Sequence, residues 1–306
     1  MENILSKMEK SLEKDKQQLD SSLPKPWEML RQVEGPVQKV SLKNKKSRKK
    51  SVKMFIVARE HTGFPVLGQF LTDQNDFFVH GEPPGPLEVD TVTNLLNCVL
   101  PPAIVQNFSS LLATDFGQSS YFRESCLLAS GTVCTDPLSY ERSCSARPHQ
   151  VIRSTHAELN FSRQIMEENP DIKVIFLVRD PRGILRDTKL KPLRLCSDLS
   201  REWDEALRLV SDFPHQFHLA RYETLAVRPH MEFTNVLKSL QIPILTSLAN
   251  DDVAPEEDDL DWNPRKNSIK RVNSWKSGLS NKELKSIENV CVETLSKMEY
   301  QILSPQ

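Results

Sequence analysis

Arg179, Asp180 and Pro181 follow directly on Val174–Val178, an unbroken apolar run inside KVIFLVRDPRGILR (173–186). The run consists of β-formers, is too short for a helix, and reads as a strand buried on both faces. Arg179 then stands at the strand's carboxyl end. Asp180 suits the N-cap of a following helix, and Pro181 suits its first position, where a missing N–H loses nothing. A guanidinium at a strand end, beside the N–H groups of a helix start, is an arrangement for holding a dianion. The plainer alternative is a strand–turn–helix of any α/β protein, with Arg179 paired to Asp180 or a neighbour.

Arg59, His61, Thr62 and Gly63 make a second such group. Met54–Ala58 (MFIVA) reads as a strand, REHTGFP as a loop, and Val66–Leu71 as the start of a helix. Gly63 falls where a loop wraps an anion with backbone N–H groups. Neither GxxxxGK[ST] nor GxGxxG is present, which leaves Mg-dependent nucleotide hydrolysis and dinucleotide binding unsupported. Glu82 lies just past a short strand, Phe77–Val79, and reads either as a general base or as a turn carboxylate before a proline pair.

The elements that must position these residues alternate along the chain. Asp90–Val99 reads as a helix closed by Pro101 and Pro102, and the stretch through Arg147 as loop-rich. Val151–Arg153 reads as a brief strand, and Glu158–Glu168 as a helix. Leu195–Val210 repeats apolar positions at helical spacing, with Trp203, Leu207 and Val210 on one face. Phe217–Arg221 is a further strand, Thr234–Leu240 a helix, and Asn250–Trp262 an acidic loop. Leu284–Met298 closes the chain as an amphipathic helix with Leu284, Ile287, Val290, Cys291 and Leu295 inward. Alternation of this kind predicts an α/β fold, a mainly parallel sheet flanked by helices. Ligands of such sheets sit at the carboxyl ends of strands, where Arg59, Glu82 and Arg179 all fall.

Composition narrows the function classes. The chain has 306 residues, a formal net charge of −1, 38% apolar residues, 9 glycines and 20 prolines. That is enough apolar residue for a core, and the charge balance gives no reason to expect a nucleic-acid partner. The first part of the chain divides from the rest. Met1–Leu19 has charged, helical composition, and KNKKSRKK (43–50) reads as a solvated basic arm, with nuclear targeting or phosphate binding as the sharper alternative. We therefore expect a flexible arm over residues 1–51 and one domain over 52–306. The start, MENILSKMEK, is not signal-like, and no apolar stretch is long enough to span a bilayer. The cysteines (Cys98, Cys126, Cys134, Cys144, Cys196 and Cys291) lack metal-binding spacing. The grouping of Cys126, Cys134 and Cys144 suits disulfides in an oxidising lumen, although buried thiols are the alternative.

KVIFLVRDPRGILR resembles the 3′-phosphate-binding signature of Golgi carbohydrate sulfotransferases, particularly the N-acetylglucosamine/galactose 6-O group. The resemblance covers roughly Val52–Ile302 and includes three further blocks in order. FPHQFHLARYETLAVRP (213–229) is similar to the family's RYEDLA..P turn. RKNSIKRVNSWKSGLSNKELKSIENVCVETLSKMEY (265–300) is similar to its terminal pattern, and NDFFVHGEPP (75–84) to the segment whose Glu-Pro lies at the acceptor site. The resemblance implies a P-loop-like sulfotransferase fold and transfer of sulfate from PAPS (3′-phosphoadenosine 5′-phosphosulfate) to a glycan hydroxyl, with no metal required.

On that resemblance Arg179 holds the 3′-phosphate, Glu82 is the base, and the loop Arg59–Gly63 faces the 5′-phosphosulfate. Three departures mark this chain. Where the family loop resembles R-S-G-S-S-F, this sequence has His61–Thr62–Gly63–Phe64–Pro65–Val66. His61 is neutral near pH 7 unless a phosphate raises its pKa, Pro65 removes a donor, and Arg59 is placed to supply the missing charge. The serine expected after the RDPR turn is Asp187, a carboxylate that repels phosphate, with Thr188 adjacent as the alternative hydroxyl. Finally, the family carries an N-terminal membrane anchor, so membrane contact is expected only through an anchor that this sequence does not display. The resemblance implies a Golgi-lumenal home, with which the sequons at Asn107 and Asn160 agree. A catalytically degenerate relative that binds nucleotide or glycan as a module is the second reading.

Overall fold

β1 (Lys53–Ala58) is the middle strand of the sheet and shows why the sheet must be covered twice. Phe55 and Val57 pack with one apolar cluster, while Met54, Ile56 and Ala58 pack with the other. β4 (Ile172–Val178) repeats the pattern, with Val174, Phe176 and Val178 on the first side and Ile175 and Leu177 on the second. Past Lys53 and Lys173 near their starts both strands are apolar on both faces, and a period-two strand of that kind has no solvent face. In the computed structural model, which describes residues 51–73, 76–112, 136–188, 190–242 and 269–304, β2 (Phe77–Val79), β3 (His149–Ser154) and β5 (Phe217–Arg221) complete a five-stranded sheet. Its order is β2-β3-β1-β4-β5 and all four pairings are parallel.

Helices cover both faces, as the alternation predicts. One face carries α1 (Phe64–Asp73) and, further along the chain, the segments Tyr222–Val227 and Pro229–Ser239. The other carries α2 (Val89–Leu96), then α3 (Pro102–Gln106), α4 (Phe108–Leu111), α5 (Pro137–Ser145) and α6 (Leu159–Glu168). The same layer holds α7 (Pro181–Asp187) and the long α8 (Pro192–Asp212). The two segments on the first face are α9 and α10. α11 (Ser274–Gly278) and α12 (Asn281–Lys297) close the chain, and Ser280 and Glu283 form a reciprocal capping box at the start of α12. Among the described residues, no helix is long and apolar enough to cross a membrane.

Several element boundaries and faces differ from the sequence reading. α2 stops at Leu96 because Asn97 and Cys98 leave helical geometry, Cys98 at a φ of 58°. The proline pair also opens α3, with Pro102 at its first position, and α5 is helical within the stretch read as loop. On α8 the buried stripe is Leu195, Cys196, Leu199, Trp203, Ala206 and Leu209, while Leu207 is 46% exposed. On α12 Val290 faces outward and Glu288 takes the inward place at 1% exposure. A carboxylate replaces an apolar residue there because Arg182 pairs with it from α7. Cys98 bonds to Cys144, tying the end of α2 to α5, and Cys196 bonds to Cys291, tying α8 to α12. Cys126, Cys134, the basic arm and the acidic loop lie outside the described residues.

Candidate active site

Chain order in the sheet opens a crevice between the carboxyl ends of β1 and β4. The connection from β1 runs towards β2 at one edge, and that from β4 towards β5 at the other, so the two loops diverge. Ala58 and Leu177 are register partners, which sets Arg59 and Arg179 on neighbouring strand ends. They are joined directly: Arg179 Nη1 donates to the His61 carbonyl at 2.6 Å.

The loop after β1 is a tight turn. Thr62 N donates to the Arg59 carbonyl at 3.2 Å and Thr62 Oγ1 to the same oxygen at 2.5 Å, with His61 at a φ of 63° and Gly63 at 91°. Gly63 is required by both conformation and space, since a Cβ there would lie 2.0 Å from Tyr222 Cδ2. The same Tyr222 ring lies 4.9 Å from the Arg179 guanidinium. Gly63→Ala is therefore expected to cost roughly 2–5 kcal/mol, overpacking added to a strained φ. A urea unfolding curve would measure it, and a loss under about 1 kcal/mol would mean that the loop lies elsewhere in solution.

The N–H groups that begin α7 are not free. Asp180 caps them with its own side chain, Oδ1 accepting from Arg182 N at 2.9 Å, and its carbonyl accepts from Gly183 N at 2.9 Å. Asp180 is thus the N-cap and Pro181 the first helical residue, as the sequence predicts, and the cap occupies the N–H groups that the same reading offers to a dianion. Asp180 N donates in turn to Glu223 Oε1 at 2.9 Å. Burial pushes the Glu223 carboxyl up from its ordinary pKa, and the neighbouring Asp180 adds to it.

A cavity of about 870 Å³ lies against these strand ends. Arg59, Glu60 and His61 from the first loop line it, as do Arg186, Asp187 and Thr188 from the end of α7. Thr155 and His156, from the loop after β3, complete this polar lining. Arg179 stands one layer behind, 3% exposed, bound to Asp187 at 2.9 Å and to the Arg271 carbonyl at 3.3 Å. Thr62 is buried beside it in the turn, and Gly63 abuts Tyr222. Glu82 reaches the cavity only through Thr155, accepting from Thr155 N at 2.6 Å, from Thr155 Oγ1 at 2.9 Å and from Ser154 Oγ at 3.1 Å.

The cation that the sequence offers in place of the family's loop arginine is already engaged. Glu202 on α8 grips Arg59 through Nε and Nη2, the latter at 2.6 Å, and Asp198 stands 3.7 Å away. Sequence reasoning missed Arg186, Thr155 and His156. Arg186 reads as an ordinary last-turn cation, and the β3 strand was read as ending before the loop that carries the other two. The lining nevertheless suits a phosphorylated ligand: guanidinium groups stand at both loops, and at one of them a carboxylate is already held between two arginines. A cavity of this size also falls in the range of small-molecule sites.

No protein-family model matches the chain. Carbohydrate sulfotransferase 1 from Mus musculus is 27% identical over 196 residues, 54% of this chain and 48% of that protein. Carbohydrate sulfotransferase 3 from Tetronarce californica is 22% identical over 370 residues, 96% of this chain and 83% of that protein. The chain is thus similar, at 22–27% identity, to carbohydrate sulfotransferases. It spans about half the length of the mouse protein it matches. Among solved structures, the chain is similar to the sulfotransferase domain of the Synechococcus PCC 7002 olefin synthase. The TM-score is 0.45 at 16% identity, covering 86% of this chain and all of that one. It is also similar to mouse sulfotransferase SULT7A1 complexed with PAP, with a TM-score of 0.42 at 10% identity, covering 83% of this chain and 90% of that one.

Proposed function

We propose that the chain is a PAPS-dependent sulfotransferase acting on a glycan hydroxyl, the 6-hydroxyl of N-acetylglucosamine or galactose, in the Golgi lumen. The observation that carries this reading is the direct contact between the Arg179 guanidinium and the 59–63 loop, at adjacent strand ends beside a polar cavity. PAPS supplies the activated sulfuryl group and a bisphosphate leaving group. Arg179, with Thr188 nearby, holds the 3′-phosphate; Arg59, His61, Thr62 and Gly63 face the 5′ side. Positioning and electrostatics of this kind dominate related phosphoryl transfers. The Cys98–Cys144 and Cys196–Cys291 bonds suit an oxidising compartment.

Glu82 takes the acceptor's proton on this reading, with Thr155 holding its carboxylate in place. Glu82→Gln is then expected to lower kcat for labelled sulfate transfer to a glycan panel by about 100-fold or more. It should leave the PAP-induced rise in melting temperature unchanged. Undiminished turnover would remove Glu82 from the role and pass it to an imidazole on the cavity wall, His156 or His61. The second reading, a non-catalytic nucleotide- or glycan-binding module, is favoured by one observation: Arg59 and Arg179 each already hold a protein carboxylate. Stabilisation by PAP without transfer to any glycan would decide for it. Absence of PAP stabilisation would exclude the transferase and the nucleotide-binding module, and leave the glycan-binding module to be tested against the glycan panel.

A further inference from the structure

The Asp187 carboxylate lies between two guanidinium groups, Oδ2 2.9 Å from Arg179 Nη1 and Oδ1 3.0 Å from Arg186 Nη1. One oxygen on each arginine is the way two cations grip a phosphate or sulfate. The helix gives no reason for a carboxylate here: Asp187 is the last residue of α7, where the carbonyl end of the helix disfavours negative charge. Arg179 does give one. Its side chain is 3% exposed, and a guanidinium buried so deeply is strongly destabilising without a counter-ion. Asp187 and Arg186 line the cavity while Arg179 stands behind them, so an anion approaching Arg179 from the cavity meets Asp187 first.

We propose that Asp187 is a resident anion. Its carboxylate occupies the seat on Arg179 that a nucleotide phosphate takes, Arg186 is the second cation of that seat, and the ligand binds by displacing the carboxylate. The proposal rests on the reading of the cavity as a nucleotide site. Arg186 is 36% exposed, so it has room to follow Asp187 outward or to stay and meet the incoming anion. Nucleotide affinity is thereby held down by a competitor that belongs to the chain itself, and Arg179 stays neutralised when no ligand is present.

The test titrates PAP and inorganic phosphate calorimetrically into the wild-type chain, Asp187→Asn and Asp187→Ser, and melts each form with and without ligand. Asparagine keeps the shape and one acceptor, so it guards against a folding failure of the serine variant. Both variants are expected to bind PAP about tenfold or more tighter than wild type, because a like charge at the seat has gone. Ligand-free Asp187→Ser should melt below wild type and recover with PAP, and adding Arg186→Ala to Asp187→Asn should weaken PAP binding again. Equal or weaker PAP affinity in both variants, where wild type binds PAP, overturns the resident anion and leaves the nucleotide reading standing. Tighter binding of phosphate with no PAP binding by any form keeps the resident anion and removes the nucleotide reading. No gain for either anion overturns the proposal.

Discussion

Arg182→Ala should lower the unfolding free energy by roughly 3–5 kcal/mol, the usual consequence of removing one partner from a buried ion pair. Arg182 is 2% exposed and faces two carboxylates that are also buried, Asp180 at 4% and Glu288 at 1%. Its Nη2 binds Asp180 Oδ2 at 2.8 Å, its Nη1 binds Glu288 and the Gln301 carbonyl, and its guanidinium lies 4.0 Å from the Trp275 ring. One side chain therefore joins the RDPR turn to α11, α12 and the segment after it. Alanine would leave both carboxylates buried without their cation. Lysine should recover only part of the loss, because a single ammonium cannot match two carboxylates and a carbonyl with a planar fork.

The pH dependence separates this account from a simple packing defect. Burial pushes the Glu288 carboxyl up, but hydrogen bonds from Ser304, Leu303 and Arg182 outweigh it and hold the pKa below the ordinary value. A depressed folded-state pKa stabilises the protein above the unfolded pKa, and that contribution is lost as pH falls through the folded one. The gap between wild type and Arg182→Ala should therefore narrow below about pH 4, as Glu288 becomes neutral and no longer needs Arg182. A gap that is constant with pH in urea melts would mean that packing against Trp275, not charge, is what Arg182 supplies.

This network also marks where sequence reading stops. The β1 and β4 strands were legible because an apolar run bounded by charge admits few other structures, and once both are parallel their ends must carry Arg59 and Arg179. Helical period placed Val290 inward on α12. Nothing in that period can show that Glu288 goes in instead, because its partner lies 106 residues away. The same limit hid the engagement of Arg59 by Glu202, across 143 residues. Pairing of Arg179 with a neighbour was one of the two readings the sequence left open, and the neighbour is Asp187, eight residues on, rather than Asp180. Asp180 turns to its own helix start and to Arg182. Arg186 went unread because a cation in the last turn of a helix needs no explanation; only its shared carboxylate gives it one.

Arg179→Ala should weaken PAP binding by roughly 30-fold to several thousand-fold, the equivalent of about 2–5 kcal/mol for a lost charge-assisted contact to a buried anion. The substitution acts in two ways that must be told apart. It removes the cation assigned to the 3′-phosphate, and it releases the His61 carbonyl and Asp187, which Arg179 holds at 2.6 and 2.9 Å. If the loss came only from a displaced 59–63 loop, AMP, which lacks the 3′-phosphate, would lose as much affinity as PAP. If Arg179 meets the 3′-phosphate, AMP should lose little and PAP most of its advantage over AMP. A double-mutant cycle with Asp187→Asn extends the distinction. The part of the gain from Asp187→Asn that comes from freeing Arg179 should be lost in the Arg179→Ala background, leaving only the smaller gain from relief of like-charge repulsion. Unchanged PAP affinity in Arg179→Ala, with the fold intact by melting, would take the 3′-phosphate away from this strand end.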